Sequence, residues 1–475
     1  MPMWMPDITG VSGPKYLSIS AALARDIDAG RLQPGDRLPP QRELAEALAL
    51  DLGTITRAYA EARRTGLIDA DGRRGSFVLD PASRRTVTPP DPAPPQPREL
   101  SAEIAPFDTG MNLPPLPAGS TLGTRYAAAL QTVLDGPAAA NRLQYQPAGG
   151  AQQDRIAGTQ WLALRGIPAD ADNVLVTCGG QNALHAVATA LLNPGDAVAC
   201  GGATYPGWLA IARRRGLRLV PLAMDDQGIC PDALDQACRE NDLRALYVVP
   251  GNDNPTTATM GAERRATIAN LARSHDIALI EDDAYGWLNP QPLPPLAALA
   301  PERCWHIASL AKIISPALRI AFLRAPDLRH GWRLGADMHE TAIMPPPLNS
   351  AIATAWLNDG SWATLVDEVR QECRARQQIT RSILPGGSFH AADDGYHLWV
   401  PLPAGMPAPA LITALAPTGL SVISGESFSA APDNPPAPAL RISIGGSLSR
   451  DQLTRALHLL DTLLHHSGAR ITPLV

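Results

Sequence analysis

Most of this 475-residue chain alternates short apolar runs with stretches that carry a helical pattern. Six runs are predicted to be buried strands: 173–177, 197–200, 245–250, 277–282, 304–310 and 318–324. Helical patterns, such as those at 181–192 and 263–274, lie between several of them. This alternation is typical of an α/β fold with a mostly parallel sheet covered by helices on both faces. Ligands in such folds bind beyond the carboxyl ends of the strands, so functional residues are expected among the polar residues there.

A proline-rich stretch, TPPDPAPPQP at 88–97, divides the chain into a short and a long part. Proline has no backbone N–H and keeps the chain extended, so such a stretch behaves as a semi-rigid spacer. We therefore expect a small domain at 12–80, a linker at 81–108 and a large α/β domain at 109–475.

The small domain is predicted to contain three helices and a hairpin. Ile19, Leu23 and Ile27 recur at helical spacing, and shorter helices are expected at 41–48 and 53–66. A hairpin is expected around the dipeptide Asp71-Gly72. Residues 14–80 contain ten basic and ten acidic residues, so charge alone does not indicate a nucleic-acid partner.

The whole-chain composition excludes several classes of protein. The formal net charge is −6, which gives no general attraction to nucleic acid or to membranes. Six cysteines are scattered without metal-ligand spacing, which favours reduced thiols in the cytoplasm and no metal site. There is no signal-peptide pattern at the start and no apolar stretch of about 18 residues, so we expect a cytoplasmic protein without a membrane anchor.

Polar side chains follow the ends of several predicted strands. Asn254 follows one strand, Asp282 and Asp283 end the next with Tyr285 close behind, and Lys312 follows a third. Lys312 is one of only two lysines among 40 basic residues. Only a primary amine can form an imine with an aldehyde, because guanidinium stays protonated and is a poor nucleophile. A lysine at this position therefore points to a role that requires a primary amine.

A phosphate site is predicted near the same strand ends. The Gly179-Gly180 pair lies between a strand and a helix, where backbone N–H groups form an anion cradle. A lysine, a carboxylate that keeps the pyridine nitrogen protonated, and a phosphate cradle are what pyridoxal phosphate requires. Each feature alone has an ordinary explanation: a surface lysine, a strand-end turn with two carboxylates, and a common strand-to-helix turn.

In order and spacing, these residues resemble those of fold-type I aminotransferases, over nearly all of residues 109–475. The whole chain resembles MocR-type regulators of the GntR superfamily, in which a winged helix-turn-helix is fused to an aminotransferase-like domain. The resemblance implies a mostly parallel, seven-stranded sheet with a smaller α+β C-terminal subdomain. It also implies pyridoxal 5'-phosphate as cofactor.

The segments SLAKIISPALRI, DDAY, NPTT, TCGGQNAL, ATYPG and QYQPAGG carry the resemblance at the cofactor site. The roles it implies are the imine for Lys312, the pyridinium nitrogen for Asp282, the phenolic oxygen for Tyr285 and Asn254, ring stacking for Tyr205, the phosphate for Gly180, Gln181, Ser309 and Arg319, and a neighbouring subunit's phosphate for Tyr145. Asp282 is preferred to Asp283 for its spacing to Tyr285. Thr257 stands where the family usually has glycine, so the turn there is expected to differ.

Two further residues are candidates for substrate or effector binding. The segment LRISIGG resembles the one that grips a substrate carboxylate, which would make Arg441 a bidentate clamp. An ion-paired or solvated arginine is the alternative. Asn112, in MNLPP, lines the substrate mouth or belongs to a plain proline-rich loop.

The segments GDRLPPQRELAEAL, GTITRAYAEARRTGLI and GRRGSFV resemble the GntR winged helix. Seven DNA contacts are implied: Arg42 from the second helix, Thr54, Thr56 and Arg57 from the recognition helix, and Arg73, Arg74 and Gly75 from the wing. Asp51 and Leu52 stand where the family often has Ser-Arg, which puts DNA affinity or operator choice in question.

Three functions remain open. The first is a DNA-binding transcription regulator that senses an amino compound or the cofactor itself. The second is an aminotransferase in which Lys312 acts as general base. The third is a large domain that serves only as a dimerisation scaffold. The resemblance also implies a homodimer, because Tyr145 would serve a neighbouring subunit.

Overall fold

The computed structural model describes residues 4–7, 15–48, 50–65, 67–70, 75–79, 110–403, 405–431 and 437–465. The chain divides into two compact units, with the boundary between Glu103 and Ile104. Each unit is described by itself.

The N-terminal unit contains the predicted helices and hairpin. Its elements are α1 (Lys15–Asp28), α2 (Gln41–Ala47), α3 (Leu52–Arg64), β1 (Ile68–Ala70) and β2 (Ser76–Val78). The two strands pair antiparallel, with Ile68 opposite Val78. The expected hairpin turn at 71–74 lies outside the described residues. Three helices followed by a strand pair confirm the predicted winged helix-turn-helix class.

The core of this unit forms between α1 and α3. Ile19 and Leu23 from α1 are buried together with Ile55 and Tyr59 from α3, as the helical spacing predicted. The hydroxyl of Tyr59 donates a 2.7 Å hydrogen bond to the carbonyl of Pro39, which fixes the loop before α2. Burial of these apolar faces is what holds the short helices in place.

The larger unit consists of helices and strands in alternation. The helices are α4 (Leu122–Asp135), α5 (Ala139–Arg142), α6 (Gln152–Ala163), α7 (Gly180–Leu191), α8 (Pro206–Arg215), α9 (Pro231–Glu240), α10 (Ala262–Ser274), α11 (Leu296–Leu299), α12 (Leu328–Ala342), α13 (Pro347–Asp359), α14 (Ser361–Ile383), α15 (Ala408–Leu415) and α16 (Arg450–His465). The strands are β3 (Val174–Thr177), β4 (Ala197–Gly201), β5 (Arg218–Leu222), β6 (Met224–Asp225), β7 (Gly228–Ile229), β8 (Leu243–Val248), β9 (Ala278–Asp282), β10 (Cys304–Ser309), β11 (Ala321–Arg324), β12 (His397–Pro401), β13 (Ser421–Ser424) and β14 (Ala439–Ser443).

Seven of these strands form one sheet in the order β3-β11-β10-β9-β8-β4-β5. The neighbours from β10 to β5 are parallel, whereas β11 runs antiparallel to both β10 and β3. The predicted mostly parallel sheet is thereby confirmed. The edge strand β5 was not predicted, because Arg218 and Pro221 are exposed and break the apolar run that marks the other strands.

The topology brings the carboxyl ends of β3, β4, β8, β9 and β10 to one edge of the sheet, where parallel strands place their ligand sites. A second, antiparallel sheet in the order β12-β14-β13 belongs to the C-terminal part of the chain. Among the residues that the structure describes, no helix has both the length and the apolar character to cross a membrane.

Candidate functional site

The residues predicted to hold a phosphate lie together at the ends of β3 and β10. Gly179 has a φ of 85°, and Gly180 begins α7. A Cβ on Gly179 would lie 3.1 Å from Nη2 of Arg319, and a Cβ on Gly180 would lie 3.5 Å from the Cβ of Ser309. Arg319 also donates a 3.0 Å hydrogen bond to the carbonyl of Cys178. The start of α7, a hydroxyl and a guanidinium therefore surround one small region, which suits an anion.

Gln181 and Tyr205 meet beside this region. Nε2 of Gln181 donates to the carbonyl of Gly207 over 3.2 Å. A Cβ on Gly207 would lie 2.3 Å from the Tyr205 ring and 2.5 Å from Oε1 of Gln181. Burial raises the pKa of Tyr205 to about 12; the Asp282 carboxylate adds to this rise and Arg319 opposes it. The ring thus lies within electrostatic reach of both charges.

The two consecutive aspartates at the end of β9 have different surroundings. Asp282 accepts a 3.1 Å hydrogen bond from the hydroxyl of Tyr247, and burial raises its pKa to about 6. Asp283 instead pairs with Arg165 at 3.0 Å, and both side chains are only 3% exposed. Since Asp283 is occupied by its own ion pair, Asp282 is the carboxylate that remains for a ligand.

Lys312 lies in the turn after β10 and is partly buried. Burial lowers its pKa to about 8; the charges of Arg441 and Arg319 act in the same direction, and Asp282 opposes them. Its Nζ donates to the backbone carbonyl of Asn112. A lowered pKa increases the fraction of neutral amine near neutral pH, which is the form that attacks a carbonyl.

Tyr285 and Asn254 occupy the loops after β9 and β8. The hydroxyl of Tyr285 accepts a 3.1 Å hydrogen bond from Nδ2 of Asn112. Oδ1 of Asn254 is buried and has no hydrogen-bond partner in the described parts of the chain. The Asn254–Pro255 peptide bond is cis. Thr257, which replaces the usual glycine of this turn, adopts the left-handed φ of 66° that glycine would favour.

Asn112 is buried, with 4% exposure, and its side chain is held by three partners. Both N–H groups of the amide are engaged, one by Tyr285 and one by Nδ1 of His397 at 3.1 Å. The hydroxyl of Ser443 donates to its Oδ1 over 2.8 Å. The Asn112 side chain, predicted to line the substrate mouth or to belong to a proline-rich loop, is thus held by internal contacts.

Arg441 lies on β14 and is 2% exposed. Its Nη2 donates a 2.7 Å hydrogen bond to the carbonyl of Gly110, and its guanidinium lies 5.8 Å from the centre of the Phe428 ring. Its charge also lowers the pKa of Lys312, and the two side chains donate to backbone carbonyls two residues apart, those of Gly110 and Asn112. Because the guanidinium of Arg441 is buried, the alternative that this arginine is solvated does not hold.

Tyr145 is not brought to this site within one chain, since 80% of its surface is exposed. Sequence reasoning missed four residues that contact the site: Tyr247, Tyr396, His397 and Ser443. His397 and Ser443 interrupt apolar runs, which is a usable signal for buried polar groups. Their partners, however, lie hundreds of positions away along the chain.

The predicted DNA contacts are placed on α2, α3 and the strand pair. Arg42, Thr56 and Arg57 are exposed, and Thr54 is partly buried. Gly75 has a φ of 111°, and a Cβ on it would lie 3.0 Å from Nε of Arg37. Arg73 and Arg74 lie outside the described residues.

The N-terminus of α3 is capped by a carboxylate. Asp51 accepts hydrogen bonds from the backbone N–H of Thr54 at 2.9 Å and from its hydroxyl. Both hydrogen bonds lower the pKa of Asp51, and the bond from the Thr54 hydroxyl has the larger effect. The predicted recognition helix therefore begins with a fixed negative charge.

The donor set fits pyridoxal phosphate. The two glycines keep open a space that any Cβ would fill, next to a hydroxyl and a guanidinium. The partly buried amine of Lys312, the partly buried carboxylate of Asp282 and the unpartnered Asn254 oxygen lie at the adjoining strand ends. Phosphate, aldehyde, pyridine nitrogen and phenolic oxygen would each find a suitable partner.

Comparison with known proteins agrees with this fold. Residues 112–460 match the family Aminotransferase class I and II, and residues 15–78 match the bacterial regulatory proteins of the gntR family. A solved structure of kynurenine aminotransferase from Pyrococcus horikoshii superposes with a TM-score of 0.68. It shares 22% identity and covers 76% of this chain and 92% of its own, so it supports the fold alone.

Two curated relatives span both domains. The uncharacterized HTH-type transcriptional regulator YdeF of Bacillus subtilis is 29% identical over 97% of this chain and 96% of its own length. The vitamin B6 salvage pathway transcriptional repressor PtsJ of Salmonella typhimurium is 27% identical over 91% and 95%. The chain therefore belongs to the aminotransferase class I and II family, with a gntR-family helix-turn-helix domain before it, the domain combination of MocR-type regulators.

Proposed function

We propose that this protein is a DNA-binding transcription regulator whose larger unit uses pyridoxal phosphate to sense an amino compound or the cofactor itself. The observation that carries the proposal is Lys312: a partly buried amine of lowered pKa, within the electrostatic influence of Asp282, in a chain that also carries a helix-turn-helix domain. Relatives over nearly the full length are named as transcriptional regulators, which supports this function.

Different residues of the site would contact different parts of the cofactor. When bound, pyridoxal phosphate supplies an aldehyde that a primary amine can attack and a ring that accepts electrons. The N-terminus of α7, Ser309 and Arg319 would hold the phosphate. Asp282 would keep the ring nitrogen protonated, and Tyr205 would stack on the ring. Lys312 would provide the amine.

Arg441 gives the site a preference for an effector with a carboxylate. Its guanidinium is buried and now donates to a neutral backbone carbonyl, that of Gly110. A carboxylate could accept charge-assisted, bidentate hydrogen bonds from this guanidinium. An effector with both an amine and a carboxylate would engage Lys312 and Arg441 together.

A homodimer supports the same function. Tyr145 is predicted to serve a partner's phosphate, and its exposed ring agrees with that role. Two DNA-binding units per dimer would favour repeated or palindromic half-sites on an operator. A regulator of this kind works on the chromosome, so we expect it in the cytoplasm.

Absorbance and footprinting test the proposal. The purified protein loaded with pyridoxal phosphate should be yellow, and hydride reduction should fix the cofactor on Lys312, as peptide mapping would show. Footprinting should protect a site in the DNA flanking its own gene. A Lys312→Ala variant should keep this protection but lose any response to amino compounds. A colourless protein, or no protection even at low salt, would contradict the proposal.

Aminotransferase activity is a second candidate, favoured by the lowered pKa of Lys312. An amine with a pKa of about 8 is well suited to carry a proton as general base. Steady turnover of an amino acid with a 2-oxo acid, abolished by Lys312→Ala, would support catalysis. Binding of amino acids with a spectral change but without turnover would favour sensing.

A further inference from the structure

A chain of hydrogen bonds joins the two residues predicted to contact the cofactor's phenolic oxygen, Asn254 and Tyr285. The carbonyl of Asp253, which belongs to the peptide bond leading into Asn254, contacts Nε2 of His397 at 2.9 Å. Nδ1 of His397 contacts Nδ2 of Asn112 at 3.1 Å, and the same Nδ2 lies 3.1 Å from the hydroxyl of Tyr285. His397 therefore supports one loop directly and the other through Asn112.

Chemistry fixes the direction of these bonds. A carbonyl can only accept, so Nε2 of His397 carries the hydrogen that points at Asp253. The ring is fully buried, and burial lowers the pKa of His397 to about 3, so Nδ1 has no hydrogen and accepts. This requires the NH₂ group of Asn112 to face His397, which leaves its Oδ1 to accept from Ser443.

The orientation of Asn112 decides where the Tyr285 proton points. The second hydrogen of the NH₂ group is donated to the Tyr285 oxygen. The hydroxyl hydrogen of Tyr285 is consequently turned away from Asn112 and toward another acceptor. A flipped Asn112 amide would present an oxygen instead, and Tyr285 would then donate to it.

We propose that His397 and Asn112 form a relay that directs the hydroxyl proton of Tyr285 toward the phenolic oxygen of bound pyridoxal phosphate. The inference rests on the proposed cofactor. Both are positioning residues, because they act through Tyr285. A hydrogen bond from Tyr285 stabilises negative charge on that oxygen. Without this bond, the charge would hold a proton on the adjacent Lys312 nitrogen more tightly, and the pKa of that nitrogen would rise.

The surrounding charges do not depend on the relay. Arg441, Asp282 and Arg319 act on Lys312, while Arg441, Asp282 and Tyr205 act on Tyr285. Replacing Asn112 with alanine alters none of them. A change in the pKa of the Lys312 nitrogen would therefore report on the hydroxyl of Tyr285 rather than on a lost charge.

A double-mutant cycle tests the relay in the cofactor-loaded protein. The pH midpoint of the visible absorbance change is measured for Asn112→Ala, Tyr285→Phe and the double variant. We expect Tyr285→Phe, which loses a hydrogen bond to a charged oxygen, to raise the midpoint by about one unit, and Asn112→Ala, which leaves the hydroxyl in place, to raise it by less. The double variant should match Tyr285→Phe, because without the hydroxyl Asn112 has nothing to direct.

Two further variants make the result decisive. Asn112→Leu keeps the volume and removes the same donor, and takes the place of the alanine variant if that variant does not fold. Tyr59→Phe, which removes the 2.7 Å hydrogen bond to the carbonyl of Pro39 in the N-terminal unit, should leave the midpoint unchanged. An unchanged midpoint in the Asn112 variants, or an equal rise when Tyr285 is already phenylalanine, overturns the relay. Absence of any visible band in the unaltered protein overturns the proposed function as well.

Discussion

The side-chain amine of Lys312 donates a hydrogen bond to the backbone carbonyl of Asn112, which lies 200 positions earlier in the chain. Two residues before Asn112, the carbonyl of Gly110 accepts a 2.7 Å hydrogen bond from Arg441. The predicted cofactor lysine and the predicted carboxylate clamp therefore hold the same short segment. By sequence, that segment follows the predicted linker at 81–108.

The first prediction concerns the reactivity of Lys312 in the cofactor-free protein. Because burial lowers its pKa to about 8, from an ordinary value of 10.5, the neutral amine becomes the main form above pH 8. Trapping of pyridoxal phosphate on Lys312 by hydride should rise with pH and level off just above 8. In the denatured protein the same lysine should react with a midpoint near 10.5. Equal midpoints would contradict the role of burial. Lys312→Arg keeps the charge and should trap nothing.

The second prediction follows from the raised pKa of Asp282. Burial favours its neutral form, so the folded state binds more protons than the unfolded state between pH 4 and 6. The contribution of Asp282 to the free energy of unfolding therefore falls as pH rises through this window. Asp282→Asn should increase the free energy of unfolding of the cofactor-free protein at pH 7 by about 1–3 kcal/mol, and the gain should vanish below pH 4. Urea unfolding at the two pH values measures this. The same variant should bind pyridoxal phosphate more weakly.

The third prediction separates Asp283 from its neighbour. Asp283→Ala leaves the buried guanidinium of Arg165 without its carboxylate, and breaking such a pair typically costs about 3–5 kcal/mol. We expect a strongly destabilised protein by urea unfolding, whereas Asp282→Asn is stabilised. If Asp283→Ala instead folds normally but fails to bind cofactor, the assignment of the two aspartates would have to be exchanged.

Spacing predicted the polar loops at the strand ends because parallel strands bring consecutive carboxyl ends to one edge. It did not predict the relay through Asn112, His397 and Ser443, whose contacts join positions 173 to 331 apart. No local pattern records such pairings, since they depend on how β12 and β14 pack. The sequence pattern also failed to predict β5, because its exposed side chains interrupt the apolar run. The preference for Asp282 over Asp283 came from its spacing to Tyr285, and the ion pair between Asp283 and Arg165 gives a physical reason for that preference.

The fourth prediction concerns the recognition helix. Arg57 is exposed on α3, and in a winged helix this position faces base edges in the major groove. Arg57→Ala should weaken operator binding by about 1–3 kcal/mol and relax sequence preference. Arg42→Ala, on α2, should weaken operator and random DNA alike and lower the salt dependence, as a lost phosphate contact does. Binding isotherms at several salt concentrations distinguish the two, and equal loss for both DNAs with Arg57→Ala would contradict base contact.

The fifth prediction concerns Asp51, which caps α3 where the family often has a serine before an arginine. Its carboxylate binds the Thr54 backbone and hydroxyl, and its charge would face DNA phosphates at the start of the recognition helix. Asp51→Asn keeps the cap and removes the charge, so DNA binding should tighten about two- to fivefold at low salt, with little change in melting temperature.

Asp51→Ala is the matched control for that experiment. It removes the same charge together with the cap, so the melting temperature of the protein's DNA-binding domain should fall. Electrostatic repulsion predicts tighter binding for both variants at low salt and convergence with the unaltered protein at high salt, where screening removes the effect. Weaker binding by Asp51→Asn at low salt would mean that the carboxylate helps DNA recognition, for instance by holding Thr54 in the orientation that meets a base.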